Sequence, residues 1–282
     1  MSFLNSLPLK EQEIEELEMD YLAVNKAAWD KRTKIHVGSK FYDIEGFLKG
    51  KSSLQEIELC ELNVKGKSLL HLQCHFGLDT LSWAREGADV TGIDLSSAAI
   101  AQAQELAKRI EAEAQFICTD VYNTPERVSR QFDIVFTSYG AIAWLPDLDR
   151  WAKVVSDCLK AGGQFYMVEF HPLEALFDGY SYFAQQEPDV DEEGTYTENC
   201  DGEINTVMSW PHPISEVLNA LIQAGLELKG YNEFNFSPYD AFAGLQEESV
   251  ANANGDQRTR YFLEHKQQRV PLTYSVSAIK PR

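Results

Sequence analysis

The chain has 282 residues, 44% of them hydrophobic, with 44 acidic against 25 basic side chains and a formal charge of -19. That length is enough for one α/β core plus an appended cap, and the negative charge opposes both a phosphate backbone and an anionic lipid surface. The five cysteines, at 60, 74, 118, 158 and 200, form no C-x-x-C pair, so they suggest a reducing, cytoplasmic setting rather than a disulfide framework.

Residues 9 to 30 space Ile14, Leu17, Tyr21, Val24 and Ala28 three or four apart, which predicts an amphipathic helix. The next stretch, KRTKIHVGSKFYDIEGFLKG, is basic and aromatic with three glycine breakers, and reads as a loop with a short helix that could serve as a lid. Ser53 to Cys60 reads as another short helix. No basic leader with an apolar core opens the chain, and no apolar run reaches the roughly 18 residues of a membrane span.

From Ser68 onward strand and helix alternate regularly, the pattern of a parallel sheet covered on both faces. Leu69 to Ser96 reads as strand, tight loop, helix and second strand, with Asp94 at the second strand's carboxyl end. A helix over Ala98 to Ile110 follows, then a third strand ending at Asp120 and a fourth ending near Ser138. Trp151 to Leu159 reads as a helix stopped by Gly162 and Gly163, and GQFYMVEFHP as a fifth strand ending at Glu169 and His171. Residues 172–213 are too long and aromatic for an ordinary connection and predict a cap, with a hairpin in it and a mobile EPDVDEEG segment. ISEVLNALIQA predicts a helix, and LELKGYNEFNF and LTYSVSAIK two last strands separated by an irregular polar stretch. No internal repeat is present.

Ligands of open α/β sheets sit beyond the carboxyl ends of the strands, and an acid about twenty residues past the first turn can accept ribose hydroxyls. A dinucleotide site would want G-x-G-x-x-G after the first strand, because pyrophosphate must approach bare backbone. Here Gln73, His75 and Leu78 stand in that loop and only Gly77 is free of a side chain. A phosphate-free adenosyl cofactor tolerates such a turn better.

Five motifs, LLHLQCHFGLDTL, VTGIDLS, FICTDVYN, FDIVFTSYGAIAWLPDL and LKAGGQFYMVEFHP, occur in the order of the class I S-adenosylmethionine-dependent methyltransferases, which the chain resembles over roughly residues 65–282. It is similar in particular to a bacterial subgroup with an HLQCHFG loop. It departs from the general pattern at His71, where the family has an acid, and at Gln73 and His75, where it has glycines. The resemblance implies a Rossmann-like seven-stranded sheet, mostly parallel with an antiparallel last strand, with an N-terminal helical lid (1–64) and the cap 172–213 inserted after strand five. It implies S-adenosyl-L-methionine as cofactor, with Gln73, Cys74, His75 and Gly77 around the methionine part, Asp94 and Leu95 at the ribose and its neighbour, and Asp120 and Val121 at the adenine. Ser138 and Tyr139 follow strand four beside it.

Methyl transfer from a sulfonium is an in-line displacement needing alignment and, for some acceptors, a base. His171 and Tyr139 are the catalytic candidates. Trp29, His36, Tyr42, Trp144, Glu169, His171, Tyr180 and His212 are the candidate acceptor pocket, since aromatic and imidazole groups cluster in the lid and the cap. Plainer roles remain open for each: Asp94 or Asp120 as caps, His71 as a satisfied strand histidine, the aromatics as a second small core. No metal site is expected, because His71 and His75 have no completing carboxylate pattern. The resulting expectation is a cytoplasmic methyltransferase (EC 2.1.1.-) acting on a small molecule, a monomer or homodimer with no nucleic-acid or membrane partner. The alternative is an S-adenosylmethionine-binding sensor or partner protein without catalysis.

Overall fold

The computed structural model describes residues 11–200, 202–251 and 257–282, with side chains described from Tyr21 onward. In chain order it comprises α1 (Glu11–His36), α2 (Ile44–Leu48), α3 (Glu56–Glu61), β1 (Ser68–Leu72), α4 (Leu78–Arg85), β2 (Asp89–Asp94), α5 (Ser97–Arg109), β3 (Ala114–Cys118), α6 (Thr124–Arg127), β4 (Phe132–Thr137), α7 (Leu148–Cys158) and β5 (Leu159–Phe170). There follow β6 (Asp189–Glu193), β7 (Asn205–Ser209), α8 (Ile214–Gln223), β8 (Glu227–Phe234), β9 (Gln246–Ala251), β10 (Gln257–Phe262), β11 (Glu264–His265), β12 (Gln268–Arg269) and β13 (Thr273–Ile279).

Seven strands form one sheet in the order β3-β2-β1-β4-β5-β13-β8. β1 to β5 run parallel, and β13 inserts antiparallel between β5 and β8. This is the predicted seven-stranded Rossmann-like sheet. Side chains alternate across it as strand geometry demands: Leu70 and Leu72 join a core with Trp151, Val155 and Phe165, whereas Leu69 packs with Trp83, Ile134 and Tyr166 on the other face. α7 closes the first core because Leu148, Trp151, Ala152, Val155 and Cys158 fall on one side of it.

Several boundaries differ from the sequence reading. α1 extends six residues beyond Asp30, because the buried side chains of His36 and Arg32 find partners in Thr195 and Glu193 of the cap, and the basic residues Lys34 and His36 suit a helix carboxyl end. Residues 9–10 and the side chains of Ile14 and Leu17 lie outside the described residues, while Tyr21 and Ala28 are buried as their spacing predicts. α7 stops at Cys158 rather than at the glycine pair; β5 starts at Leu159 and runs through Gly162 and Gly163, where its register against β4 shifts. The cap does contain a hairpin, β6 on β7, and the DVDEE sequence expected to be mobile is its first strand. The stretch expected to be irregular before the last strand instead carries two small hairpins, β9 on β10 and β11 on β12. Their residues alternate in exposure only weakly, so periodicity leaves little trace of them.

α1 is fixed at both flanks. Asn25 makes two bonds to the backbone of Met208 in β7 (2.8 and 2.9 Å), and Arg32 donates to the Glu193 carboxylate (2.7 Å) and the Gly194 carbonyl (3.0 Å). On the other side Asp30 accepts from the Ser96 hydroxyl (2.7 Å) and from Ala98 N–H at the start of α5 (3.0 Å). α1 therefore spans from the β6–β7 hairpin to the carboxyl edge of the sheet.

Candidate functional site

At the carboxyl edge, β1 ends in a loop of unusual backbone. Gln73 (φ 56°), His75 (φ 50°) and Gly77 (φ 78°) are all left-handed. A side chain in that region costs about 1–2 kcal/mol, yet two of the three positions carry large ones. Their side chains hold the shape: Gln73 Nε2 donates to the Ala141 carbonyl (2.7 Å), and His75 Nε2 shares a proton with His36 Nδ1 (2.8 Å). Gly77 has no such choice, since an added Cβ would lie 2.7 Å from the Phe116 ring.

Asp94 ends β2 directly beneath this loop. One carboxylate oxygen accepts from His75 N–H and the other from Ser96 N–H, both at 2.8 Å. Each oxygen keeps a second lone pair, so ribose hydroxyls remain possible donors. Burial pushes this carboxyl up to about 6, against the pull of those two backbone donors. Capping of α5 is done by Ser96, whose hydroxyl accepts from Ala99 N–H (3.0 Å). Asp120 accepts from Tyr122 N–H (3.1 Å) and the Asn123 amide (3.2 Å), and so forms a turn cap as well as facing the cavity.

A cavity of about 650 Å³ opens beyond these strand ends. Gln73, Cys74, His75, Gly77, Asp94, Leu95, Asp120, Val121, Ser138 and Tyr139 all line it, as do Trp29, Tyr42 and Trp144 from the expected acceptor pocket. His36 sits one layer behind, bonded to His75 and to the Thr195 hydroxyl of the cap. Burial lowers it to about 3 and also holds His75 well below the usual imidazole value, so the pair is neutral.

Besides His36, four residues are placed away from the cavity wall, contrary to the sequence expectation. His171 is buried but turned away: its Nε2 meets Glu233 (3.0 Å), its Nδ1 accepts from Leu173 N–H (3.1 Å), and it lines a separate shallow hollow with Leu176, Tyr182 and Phe183. Burial also lowers its pKa, although Glu233 opposes this. Glu169 is a structural acceptor: its carboxylate takes the N–H groups of Gly140, Ala141 (2.8 Å), Ile142 (3.3 Å) and Phe170 (2.7 Å), shaping the loop after β4. His212 bonds the Leu145 carbonyl (2.8 Å) and Glu216 (3.0 Å). Tyr180 is 40% exposed on the cap.

Phe170, Tyr196 and Tyr239 are wall residues with no sequence signal; with Phe41, Tyr42 and Tyr139 they form an aromatic chamber beside the loop, with neighbouring ring centroids about 5.0–6.5 Å apart. Tyr239 comes from the stretch expected to be irregular. Behind the chamber Tyr139 donates to Glu58 Oε2 (3.0 Å); burial pushes this fully enclosed acid up to about 7. Arg32 also reaches the wall, its guanidinium 5.4 and 5.6 Å from the rings of Trp29 and Trp144. His71 is pinned between Thr80 (2.8 Å) and Ser138 (3.1 Å), and burial lowers it to about 3.

Residues 69–163 match the family model described as a methyltransferase domain. Two ubiquinone biosynthesis O-methyltransferases are similar in sequence, from Coxiella burnetii (30% identity over 122 residues) and Pseudomonas fluorescens (31% over 120). These alignments cover 43% and 41% of this chain, and the chain spans about half the length of each relative. Among solved structures, an S-adenosylmethionine-dependent methyltransferase from Clostridium acetobutylicum aligns over 88% of this chain and 95% of its own with TM-score 0.55 at 15% identity. The glycopeptide N-methyltransferase MtfA, solved with sinefungin, aligns over 80% and 91% with TM-score 0.52 at 15% identity. The fold is that of the class I methyltransferases.

Proposed function

We propose that the chain binds S-adenosyl-L-methionine between the Gln73–Gly77 loop and Asp120 and transfers its methyl group to a small molecule held in the aromatic chamber. The observation carrying this reading is the loop itself. It keeps three left-handed residues above Asp94 although two are not glycine, so the backbone shape is maintained at an energetic cost. The residues fit the cofactor: the cavity volume lies within the ~300–1,000 Å³ of small-molecule sites, and Asp94 and Asp120 stand where hydroxyl and amino donors of an adenosine would need acceptors. Support for methyl transfer also comes from the matched methyltransferase-domain model and from the names of the sequence relatives.

When bound, the cofactor supplies an electrophilic methyl on a sulfonium. The chain's own residues do the rest. Asp94 orients the ribose; Trp29 and Trp144 on α1 and the loop after β4 cover the cavity and exclude water. Tyr139 Oη, hydrogen-bonded to Glu58, is the place where an acceptor's proton would move, because Glu58 titrates near neutrality and lies 3.0 Å behind it. His171, turned away from the cavity, has no part in this reading. Calorimetry with S-adenosylmethionine and S-adenosylhomocysteine, followed by assay of S-adenosylhomocysteine release against a metabolite panel, tests it. Binding with turnover supports the enzyme, binding without any turnover favours the non-catalytic sensor, and no binding at tens of micromolar discards both.

A further inference from the structure

Among the described residues Arg32 is the buried cation of the cavity wall. Lys51 and Arg258 also line the cavity, but neither is buried, whereas Arg32 is only 2% exposed. Arg32 follows Trp29 by three residues, so α1 presents both side chains to the cavity. The rings of Trp29 and Trp144 flank its guanidinium and fix its position. Its donors are unevenly used. Nη2 donates to Glu193 (2.7 Å) and to the Gly194 carbonyl (3.0 Å), which occupies both of its N–H groups. Nη1 makes no hydrogen bond among the described residues, and Nε is buried without one. Glu193 offsets the charge only in part, because its side chain is 49% exposed and water screens such a pair.

The position of Arg32 decides which anion it meets. The cap stretch that holds it runs on directly into the aromatic chamber: Glu193 and Gly194 bind Arg32, Thr195 bonds His36, and Tyr196 meets the Tyr42 hydroxyl. The opposite flank of α1 faces the strand ends, where Asp30 accepts from Ser96 and Ala98 beside Asp94. Arg32 therefore stands on the chamber side of the cavity, away from the ribose. The charge it can accept is limited too. Glu193 is already beside it, and Asp79, Asp94 and Asp120 share the wall, so a phosphate dianion would meet net repulsion. A single carboxylate matches one planar guanidinium in both charge and shape.

We infer that the methyl acceptor is a carboxylic acid, its carboxylate bound by Arg32 and its apolar body lying in the aromatic chamber. The inference deepens the proposed methyl-transfer reading and rests on it. The carboxylate supplies the acceptor that Nη1 lacks. It also fixes one end of the substrate while the other lies among Phe41, Tyr139 and Tyr239.

The test is calorimetry on protein saturated with S-adenosylhomocysteine, using benzoate, phenylacetate and cinnamate, each beside its neutral amide. The acids should bind at least about tenfold more tightly than their amides, the worth of one charged hydrogen bond. Arg32→Gln should remove that preference, bringing acid and amide within about twofold of each other. Glu193→Gln weakens the contact with the cap but leaves the guanidinium, and should keep the preference. Acids that bind no more tightly than their amides, or a preference that survives in Arg32→Gln, overturn the assignment. The wild-type comparison decides even where Arg32→Gln does not fold. A further outcome also overturns it: Arg32→Gln weakens S-adenosylhomocysteine by about tenfold but leaves 5′-methylthioadenosine, which lacks the amino-acid part, unchanged. The guanidinium would then serve the cofactor's carboxylate. Failure of the wild type to bind S-adenosylhomocysteine at all overturns instead the cofactor reading on which the inference rests.

Discussion

The Asp94 carboxyl gives the site a pH dependence whose sign and size follow from its surroundings. In the free protein burial raises it to about 6, the Asp30 charge adding to this while the Ser96 and His75 N–H groups oppose it. Ribose hydroxyls donate to the ionised form, so ligand affinity is complete above that value and falls as pH drops through it. At pH 5 only about a tenth of the sites are ionised, and the affinity should be about tenfold weaker than at pH 8. The apo protein responds in the opposite direction: its raised carboxyl is destabilising above pH 6, by about 3 kcal/mol relative to an unfolded value near 3.9, and protonation relieves this. Other groups near the ribose do not confuse the reading, because Asp30 titrates lower and His75 stays neutral throughout. 5′-Methylthioadenosine is the right probe, since it lacks the charged amino-acid part. Calorimetry between pH 8 and 5 should give a single inflection near 6 that is absent in Asp94→Asn. A flat wild-type profile would falsify the placement of Asp94 at the ribose.

Gln73 is left-handed, so Gln73→Gly should change unfolding free energy by no more than about 1 kcal/mol, strain relief offsetting the lost bond to Ala141, whereas Gln73→Val should cost 2 kcal/mol or more. Urea denaturation of both variants decides this. Glu169→Ala leaves three N–H groups of the 140–142 loop without their acceptor and should destabilise by about 3 kcal/mol or more in the same assay; a loss below 1 kcal/mol contradicts the structural role given to it. His171→Ala should alter S-adenosylhomocysteine affinity by less than about twofold, because the imidazole faces Glu233 and Leu173 rather than the cavity.

The sheet was legible because parallel strands buried on both faces leave continuous apolar runs, such as SLLHL and FDIVFT, each ending in a loop. Asp94 and Asp120 could be placed by the same rule, as residues at or just past strand ends. What sequence could not show was direction: His171 follows β5 as expected, but its side chain turns toward β8 and meets Glu233. Nor could it show distant partners. Glu58 enters through Tyr139, 81 positions away, and Tyr239 joins the chamber from a segment whose short hairpins carry no periodic signal. The sequence shows that the loop lacks the glycines of a pyrophosphate turn, but its left-handed Gln73 and His75 were not foreseen, since their compensation comes from Ala141 and His36.

The most direct test is a crystal structure of the protein grown with S-adenosylhomocysteine. The account predicts continuous ligand density from the Gln73–Gly77 loop across Asp94 to Asp120, with both ribose hydroxyls within about 3 Å of the Asp94 carboxylate. A cavity without ligand at saturating concentration, or ligand bound in the hollow beside His171 and Tyr182, would contradict it.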